Sequence, residues 1–151
     1  MKIEVYNANN LNFVELNITG DNDNYLRCDR ESKYLDSDVF NLFVSCFENA
    51  NKLYDYFGPT KYNSRKIIPL RNELIKSLES MNQLDSKELF ISYIQDKFWG
   101  NDFITSLKKA DPNWENNYTT HLENLKNVNQ DLIKIAEKCA DEERILWVIG
   151  Y

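Results

Sequence analysis

Apolar and polar residues alternate near the start of the chain in a way that predicts a β-strand. Val14, Leu16 and Ile18 occupy every second position, and Glu15 and Asn17 fall between them. In an extended strand, successive side chains point to opposite faces. The pattern therefore predicts a strand over 12–18, with Val14, Leu16 and Ile18 on one face and Glu15 and Asn17 on the other.

Two shorter segments beside this strand also have strand character. Residues 2–6 contain alternating apolar positions, and residues 25–28 form a candidate third strand. The intervening segments, 7–10 and 20–24, consist of the Asn, Asp and Gly residues that favour turns. We therefore expect an antiparallel meander in the first 35 residues.

From Ser37 onward the apolar positions recur every three or four residues, which is typical of helices. The spacing predicts four helices, over 37–57, 64–81, 85–99 and 102–110. Gly58-Pro59 ends the first, and Pro69 either kinks the second or marks its first turn. Asp85 with Glu88 resembles a capping box, and Gly100 is predicted just beyond the end of that helix.

The last helix has the most regular pattern. Asp111-Pro112 forms a helix start, and an apolar seam continues to about Glu143 at alternating spacings of four and three. Asn129 falls on this seam beside Val128. We expect a small rotation of the helix that buries Val128 and exposes Asn129.

The chain closes with an uncharged apolar segment, residues 145–151, that reads as a buried strand. Its best partner is the N-terminal sheet. The predicted fold is α+β and mainly helical: a small antiparallel sheet, from N-terminal strands plus the C-terminal strand, packs on four or five helices. Residues 1–151 fit a single globular domain.

Composition excludes several classes of protein. The 151 residues carry a net charge of −6, with three Cys and one His. An acidic chain argues against general nucleic-acid binding, and the Cys and His counts exclude disulfide frameworks and His-rich metal centres. No apolar run approaches membrane-spanning length, and no signal peptide is recognised at the N-terminus. We expect a cytoplasmic protein with no membrane association, metal or cofactor.

Two candidate chemical motifs fail on their spacing. Asp21-x-Asp23 suggests a calcium loop, but Tyr25 and Leu26 stand where that loop needs an oxygen ligand and a glycine. His121 has no orienting acid within reach along its own helix, so we interpret it as a boundary histidine. The sequence therefore predicts a protein that is not an enzyme.

Other residues are candidates for binding. Acidic side chains in the predicted turn at 20–24 and at the end of the last helix, with aromatic side chains at stripe edges or in loops, suit a protein partner. The partner-binding candidates are Asp21, Asp23, Tyr54, Tyr56, Trp114, Asp141, Glu142 and Glu143. Basic side chains near the start of the second helix suit an anion. The anion-binding candidates are Lys61, Arg65, Lys66 and Arg71.

The charge distribution favours a protein partner that is itself basic. Residues 1–60 carry −5 and residues 101–151 carry −3, whereas residues 61–100 carry +2. We therefore predict a non-enzymatic protein-binding domain with an acidic, aromatic-containing surface. A bacterial toxin-neutralising immunity protein is the narrower hypothesis within that class. The alternatives are a small anionic-ligand-binding protein or enzyme using residues 61–71, and a structural homo-oligomer subunit that associates through a sheet edge.

Overall fold

The computed structural model describes residues 1–8 and 12–150, which form six helices and one four-stranded sheet. The strands are β1 (Phe13–Asn17), β2 (Lys33–Asp36), β3 (Pro59–Tyr62) and β4 (Leu146–Gly150). The helices are α1 (Ser37–Asn41), α2 (Val44–Ala50), α3 (Ile67–Asn82), α4 (Lys87–Gln95), α5 (Gly100–Ala110) and α6 (Tyr118–Asp141). The predicted α+β class is confirmed.

The strands are ordered β2-β1-β4-β3, and every neighbouring pair is antiparallel. Leu16 of β1 lies opposite Val148 of β4, so the N-terminal and C-terminal strands pair as predicted. β4 is an inner strand with partners on both sides. Its continuous apolar sequence suits this position, because side chains on both of its faces are buried.

Two strand predictions are corrected, and one strand was not predicted. Residues 2–6 form no strand and contribute one bridge, between Tyr6 and Tyr34. Residues 25–28 belong to a loop, and the strand lies further along at β2. The segment after Gly58 forms edge strand β3, which begins at Pro59, where a missing N–H group is tolerated. The predicted turn at 7–10 extends outside the described residues.

Both faces of β1 are buried, including the polar face that carries Glu15 and Asn17. The Glu15 side chain accepts hydrogen bonds from the Cys28 N–H at 2.8 Å and the Ser32 hydroxyl at 2.7 Å. The Asn17 amide donates to the Leu26 carbonyl at 2.9 Å. The segment between β1 and β2 thus folds over this face. It supplies the hydrogen bonds that make burial of a carboxylate and an amide acceptable.

Asn129 is also buried, contrary to the prediction. α6 packs mainly against α3, and both Val128 and Asn129 are inside that interface. The Asn129 side-chain amide donates to the Leu74 carbonyl of α3 at 2.8 Å. A hydrogen bond to another helix therefore holds this polar residue on the apolar seam, which the sequence of α6 alone does not reveal.

Helix boundaries differ from the periodic pattern at several points. The predicted helix over 37–57 is divided into α1 and α2 and ends at Ala50. Ser86, not Asp85, caps α4, and its hydroxyl accepts from the Leu89 N–H at 3.2 Å. α6 begins at Tyr118, several residues after the predicted start. Pro69 lies in the first turn of α3, where a proline leaves no intrahelical bond unmade.

Both outer edges of the sheet have additional partners. On β2, the backbone of Tyr34 exchanges hydrogen bonds with Tyr6 at 2.9 and 3.0 Å. On β3, the Asn51 side chain donates to the Lys61 carbonyl at 3.1 Å. These contacts occupy backbone groups that a second copy of the chain would need for edge pairing. No helix in the described part of the chain is both long and apolar enough to cross a membrane.

Candidate functional site

Four aromatic side chains from two distant segments form one cluster on the surface, which we call the aromatic patch. Its members are Tyr56, Phe57, Phe98 and Trp99. The Tyr56 ring contacts the other three edge-on, with centroid distances of 4.9 Å to Phe57, 5.3 Å to Phe98 and 5.5 Å to Trp99. The Phe98 and Trp99 rings stack at 4.9 Å. The patch therefore behaves as one packed unit.

The patch is open to solvent. Phe57 is 81% exposed, Trp99 is 48% exposed and Phe98 is 42% exposed. Phe57 and Phe98 continue the apolar helical spacing of the predicted helices over 37–57 and 85–99, which predicts a place for both rings in the core. That assignment is wrong, because α2 ends before Phe57 and α4 ends before Phe98.

The junction between α4 and α5 determines where Phe98 and Trp99 point. Trp99 has a left-handed backbone, with φ of 52°. Such a conformation costs about 1–2 kcal/mol in a residue other than glycine. Gly100 follows as the first residue of α5 and not as the predicted end of the preceding helix. A Cβ on Gly100 would lie 1.8 Å from the Ile94 carbonyl oxygen, so only glycine fits this close approach.

Tyr56 connects the patch to the core. It is half-buried, and its hydroxyl donates to the side-chain oxygen of buried Asn41 at 2.8 Å. Burial raises the pKa of the Tyr56 phenol. Its backbone carbonyl lies so close to Gly150 of β4 that a Cβ there would be 2.5 Å away. The patch is therefore held at the end of the sheet by a fixed tyrosine.

A cleft of about 730 Å³ lies beside the patch, and we call it the acidic cleft. Tyr56, Phe57 and Trp99 line it, together with Asp36 and Asp38 at the junction of β2 and α1.

Each carboxylate in the cleft is held by the protein. The Asp36 carboxylate accepts from the Tyr6 hydroxyl at 2.7 Å and from the Lys2 backbone N–H at 2.5 Å. The Asp38 Oδ2 accepts from the Ser106 hydroxyl of α5 at 2.5 Å. Aromatic faces and positioned carboxylates thus share one concave surface, which is the usual character of a recognition site.

Of the three predicted aromatic candidates, the structure places Tyr56 in the patch. Tyr54 is half-buried and packs against Phe47, with ring centroids 6.3 Å apart. Trp114 is only 7% exposed and belongs to the core, so it cannot contact a partner as expected. The loop sequence around Trp114 favours exposure, whereas packing of the 111–117 turn against the helices buries its ring.

The acidic candidates lie around other features. The Asp21 carboxylate accepts from the backbone N–H groups of Asp23 and Asn24 at 2.8 and 2.7 Å, which lowers its pKa. Glu142 forms an ion pair with Arg144 at 2.6 Å. Asp21 and Glu143 line a second, shallow cleft that shares no lining residue with the acidic cleft. Asp23 and Asp141 are exposed, and neither lines either of these clefts.

The four basic candidates do not form one cluster with shared contacts. The Lys61 ammonium group donates to the backbone and side-chain oxygens of Asn22 at 2.7 and 3.1 Å. Arg65 is exposed before α3, and Lys66 is the residue at the start of that helix. Arg71 lies further along α3, with its Nε buried. The structure thus supplies no converging anion cradle at residues 61–71.

His121 has a partner that sequence reasoning missed. Its Nε2 lies 2.8 Å from the Asp111 carboxylate, which also accepts from the Asn117 side chain at 2.9 Å. Hydrogen bonds from Asn117 and His121 lower the pKa of Asp111. The turn between α5 and α6 brings the acid to the histidine, so spacing within one helix could not reveal the pair. The pair fastens this turn to α6.

The two buried cysteines and the possible metal ligands of the described residues form no reactive cluster. Burial raises the pKa of the Cys46 and Cys139 thiols to about 11, which keeps them protonated. Among residues 1–8 and 12–150, no three His, Cys, Asp or Glu side chains are grouped to hold a metal ion.

The aromatic patch was missed because phenylalanines at helical spacing usually indicate core, and Asp38 was missed because its partner Ser106 lies on a distant helix. The available signal was local: Phe57 and Trp99 each directly precede a glycine, at Gly58 and Gly100, where a helix pattern breaks.

Comparison of the chain with protein-family models, with curated proteins and with solved structures finds no match.

Proposed function

We propose that this protein is a non-enzymatic protein-binding domain and that the aromatic patch is its contact surface. The observation that carries the proposal is the exposure of Phe57, 81% of which faces solvent within a cluster of four touching rings. Burying such a ring removes a large apolar area from water. Aromatic side chains of this kind dominate the energetics of protein interfaces.

The rigidity of the patch supports the same role. Tyr56 is hydrogen-bonded to Asn41, and Trp99 is fixed at the helix junction next to Gly100. Rings that are already ordered lose little conformational entropy when a partner binds. The hydrogen bond of Tyr56 and the tight junction at Gly100 thus hold the rings in place for a partner.

Charge supports a basic partner. The protein carries a net charge of −6, and Asp36, Asp38 and Asp55 are near the patch in structure or in sequence. Attraction between oppositely charged surfaces raises the association rate and suppresses wrong partners. Within this class we propose the role of an immunity protein that neutralises a basic toxin. The partner would then be the product of an adjacent gene.

The contact surface can be tested without a known partner. A random-peptide display library is selected on the immobilised full-length protein, and the affinity of the enriched peptides is measured for purified variants. We expect F57A and W99A each to weaken binding by tenfold or more, because truncation removes a central aromatic contact. Leu26→Ala is the matched control, since Leu26 is also exposed (69%) but lies outside the patch.

Three results would contradict the proposal. These are a library that yields no specific peptide, peptides whose affinity is the same for F57A and the parent protein, and a dimer of the parent protein that F57A abolishes. The last result, from size-exclusion chromatography with light scattering, would identify a second copy as the occupant. The immunity role is tested by co-purification with the neighbouring gene product, whose association rate should fall steeply with added salt.

A further inference from the structure

We propose that the acidic cleft receives an arginine side chain of the bound partner, with its guanidinium group between Trp99 and Asp38. This inference rests on the proposed function, because it names the chemistry by which the partner is recognised.

The aromatic lining suits a guanidinium group. Tyr56, Phe57 and Trp99 all contribute to the cleft, and Tyr56 lies 5.5 Å from the Trp99 ring, centroid to centroid. Aromatic faces attract cations through their quadrupole, and Trp does so most strongly. The guanidinium group is planar and weakly hydrated, so it stacks on such faces at lower desolvation cost than an ammonium group.

Asp38 supplies a carboxylate with remaining hydrogen-bonding capacity. Its Oδ2 accepts from the Ser106 hydroxyl, which fixes the orientation of the half-buried side chain. Within residues 1–8 and 12–150, its Oδ1 makes no hydrogen bond or ion pair. Asp38, Tyr56 and Trp99 all line the acidic cleft, so the carboxylate and the aromatic rings border the same space. A guanidinium group can therefore contact the ring and the carboxylate together.

The positive groups that face the cleft oppose this binding only weakly. Lys109 of α5 lines the cleft but forms no ion pair with Asp36 or Asp38 among the described residues, and Met1 also lines it. Both are exposed residues that can turn toward water. Asp38, in contrast, is held in place by Ser106.

The test uses small probes on the full-length protein. The ¹⁵N-labelled chain is titrated with N-acetyl-arginine amide, with its neutral isostere N-acetyl-citrulline amide, and with N-acetyl-glutamate amide. We expect saturable shifts of the Trp99 indole and Ser106 amide signals with the arginine compound in the millimolar range. The citrulline and glutamate compounds should give no saturable shifts. W99F assigns the indole signal.

Two variants should change the affinity for the arginine compound in opposite directions. Asp38→Asn keeps an oxygen that accepts from Ser106 but removes the charge, so arginine binding should weaken by about fivefold. Lys109→Gln removes the opposing charge, so binding should strengthen by about twofold. Thermal unfolding checks that both variants fold. The citrulline comparison on the parent protein keeps the test valid even if Asp38→Asn is unstable.

Equal binding of citrulline and arginine, preferential binding of the glutamate compound, or an unchanged affinity in a folded Asp38→Asn protein would overturn the inference. Its failure can be separated from failure of the proposed function. Display-selected peptides that need Phe57 but tolerate citrulline at every arginine would overturn only the arginine site. A library that yields no specific peptide contradicts the binding domain itself.

Discussion

At the scale of single residues, two glycines determine the shape of the aromatic patch. Gly100 allows the Ile94 carbonyl to approach α5, and Gly150 allows the end of β4 to approach the backbone of Tyr56. Both neighbours are backbone atoms, which cannot rotate aside as a side chain can. The site thus depends on residues that have no side chain to contribute to it.

Gly100→Ala should be strongly destabilising. Its Cβ would overlap the Ile94 carbonyl oxygen at 1.8 Å, so α4 and α5 must separate at their junction. We expect a loss of about 3 kcal/mol in the free energy of unfolding, at the upper end for overpacking, together with altered near-UV circular dichroism from Trp99. Urea denaturation measures the energy.

Gly58→Ala is the matched control for this prediction. A Cβ on Gly58 would be 2.6 Å from the Asp55 carboxylate, which is the end of an exposed side chain and can move. We expect a change of less than about 1 kcal/mol. Equal stability of the two variants would show that the α4–α5 junction is not as tightly packed as described.

At the scale of elements, β4 joins the two ends of the chain into one structure. It pairs with β1 on one side and with β3 on the other, and four of its five residues are buried. Without β4, the edge strand β3 would have no partner in the sheet. The floor of the acidic cleft would also lose Gly150.

Removal of residues 146–151 should therefore unfold the protein. We expect loss of the cooperative thermal transition and of most near-UV circular dichroism, because the truncation exposes both neighbouring strands and the helices beneath. Removal of residues 1–5 is the comparison, because it loses the Lys2–Asp36 hydrogen bond and the packing of Ile3 and Val5 but no strand, so a cooperative transition should persist at a lower temperature. A cooperative transition retained by the 146–151 truncation would contradict the central position of β4.

At the scale of the whole molecule, the burial of cysteines reports on global unfolding. Cys46 and Cys139 are inside the core, whereas Cys28 is exposed in the segment that covers the outer face of the sheet. Burial keeps the two core thiols protonated as well as inaccessible, since it raises their pKa to about 11. A thiol must deprotonate to react, so these two react only after the core opens.

We accordingly expect one rapidly reacting thiol per native chain and three in denaturant. With a chromogenic disulfide reagent at pH 8, the two slow thiols should react at a rate that tracks the free energy of unfolding. Cys28→Ser should remove the rapid phase and leave the slow one. Rapid reaction of two or more thiols in the native protein would show that the core opens locally.

Sequence predicts the features that depend on the repeat within one element better than those that depend on contacts between elements. Helical periodicity locates the bodies of α3, α4, α5 and α6, and the apolar C-terminal run identifies β4, because these patterns reflect the repeat of a single element. The same periodicity misplaces the helix end before Phe57 and overlooks β3. Those boundaries depend on packing between elements rather than on the repeat within one.

Local sequence was sufficient for the α+β class, for the pairing of the C-terminal strand with the N-terminal sheet and for the acidic character of the molecule. It could not assign Glu15 and Asn129 to the interior, because their hydrogen-bond partners come from a loop and from another helix. Nor could it separate the exposed Phe57 and Phe98 from the buried phenylalanines. The side chains are chemically identical, and only the meeting of distant surfaces decides which rings leave water and which remain available to a partner.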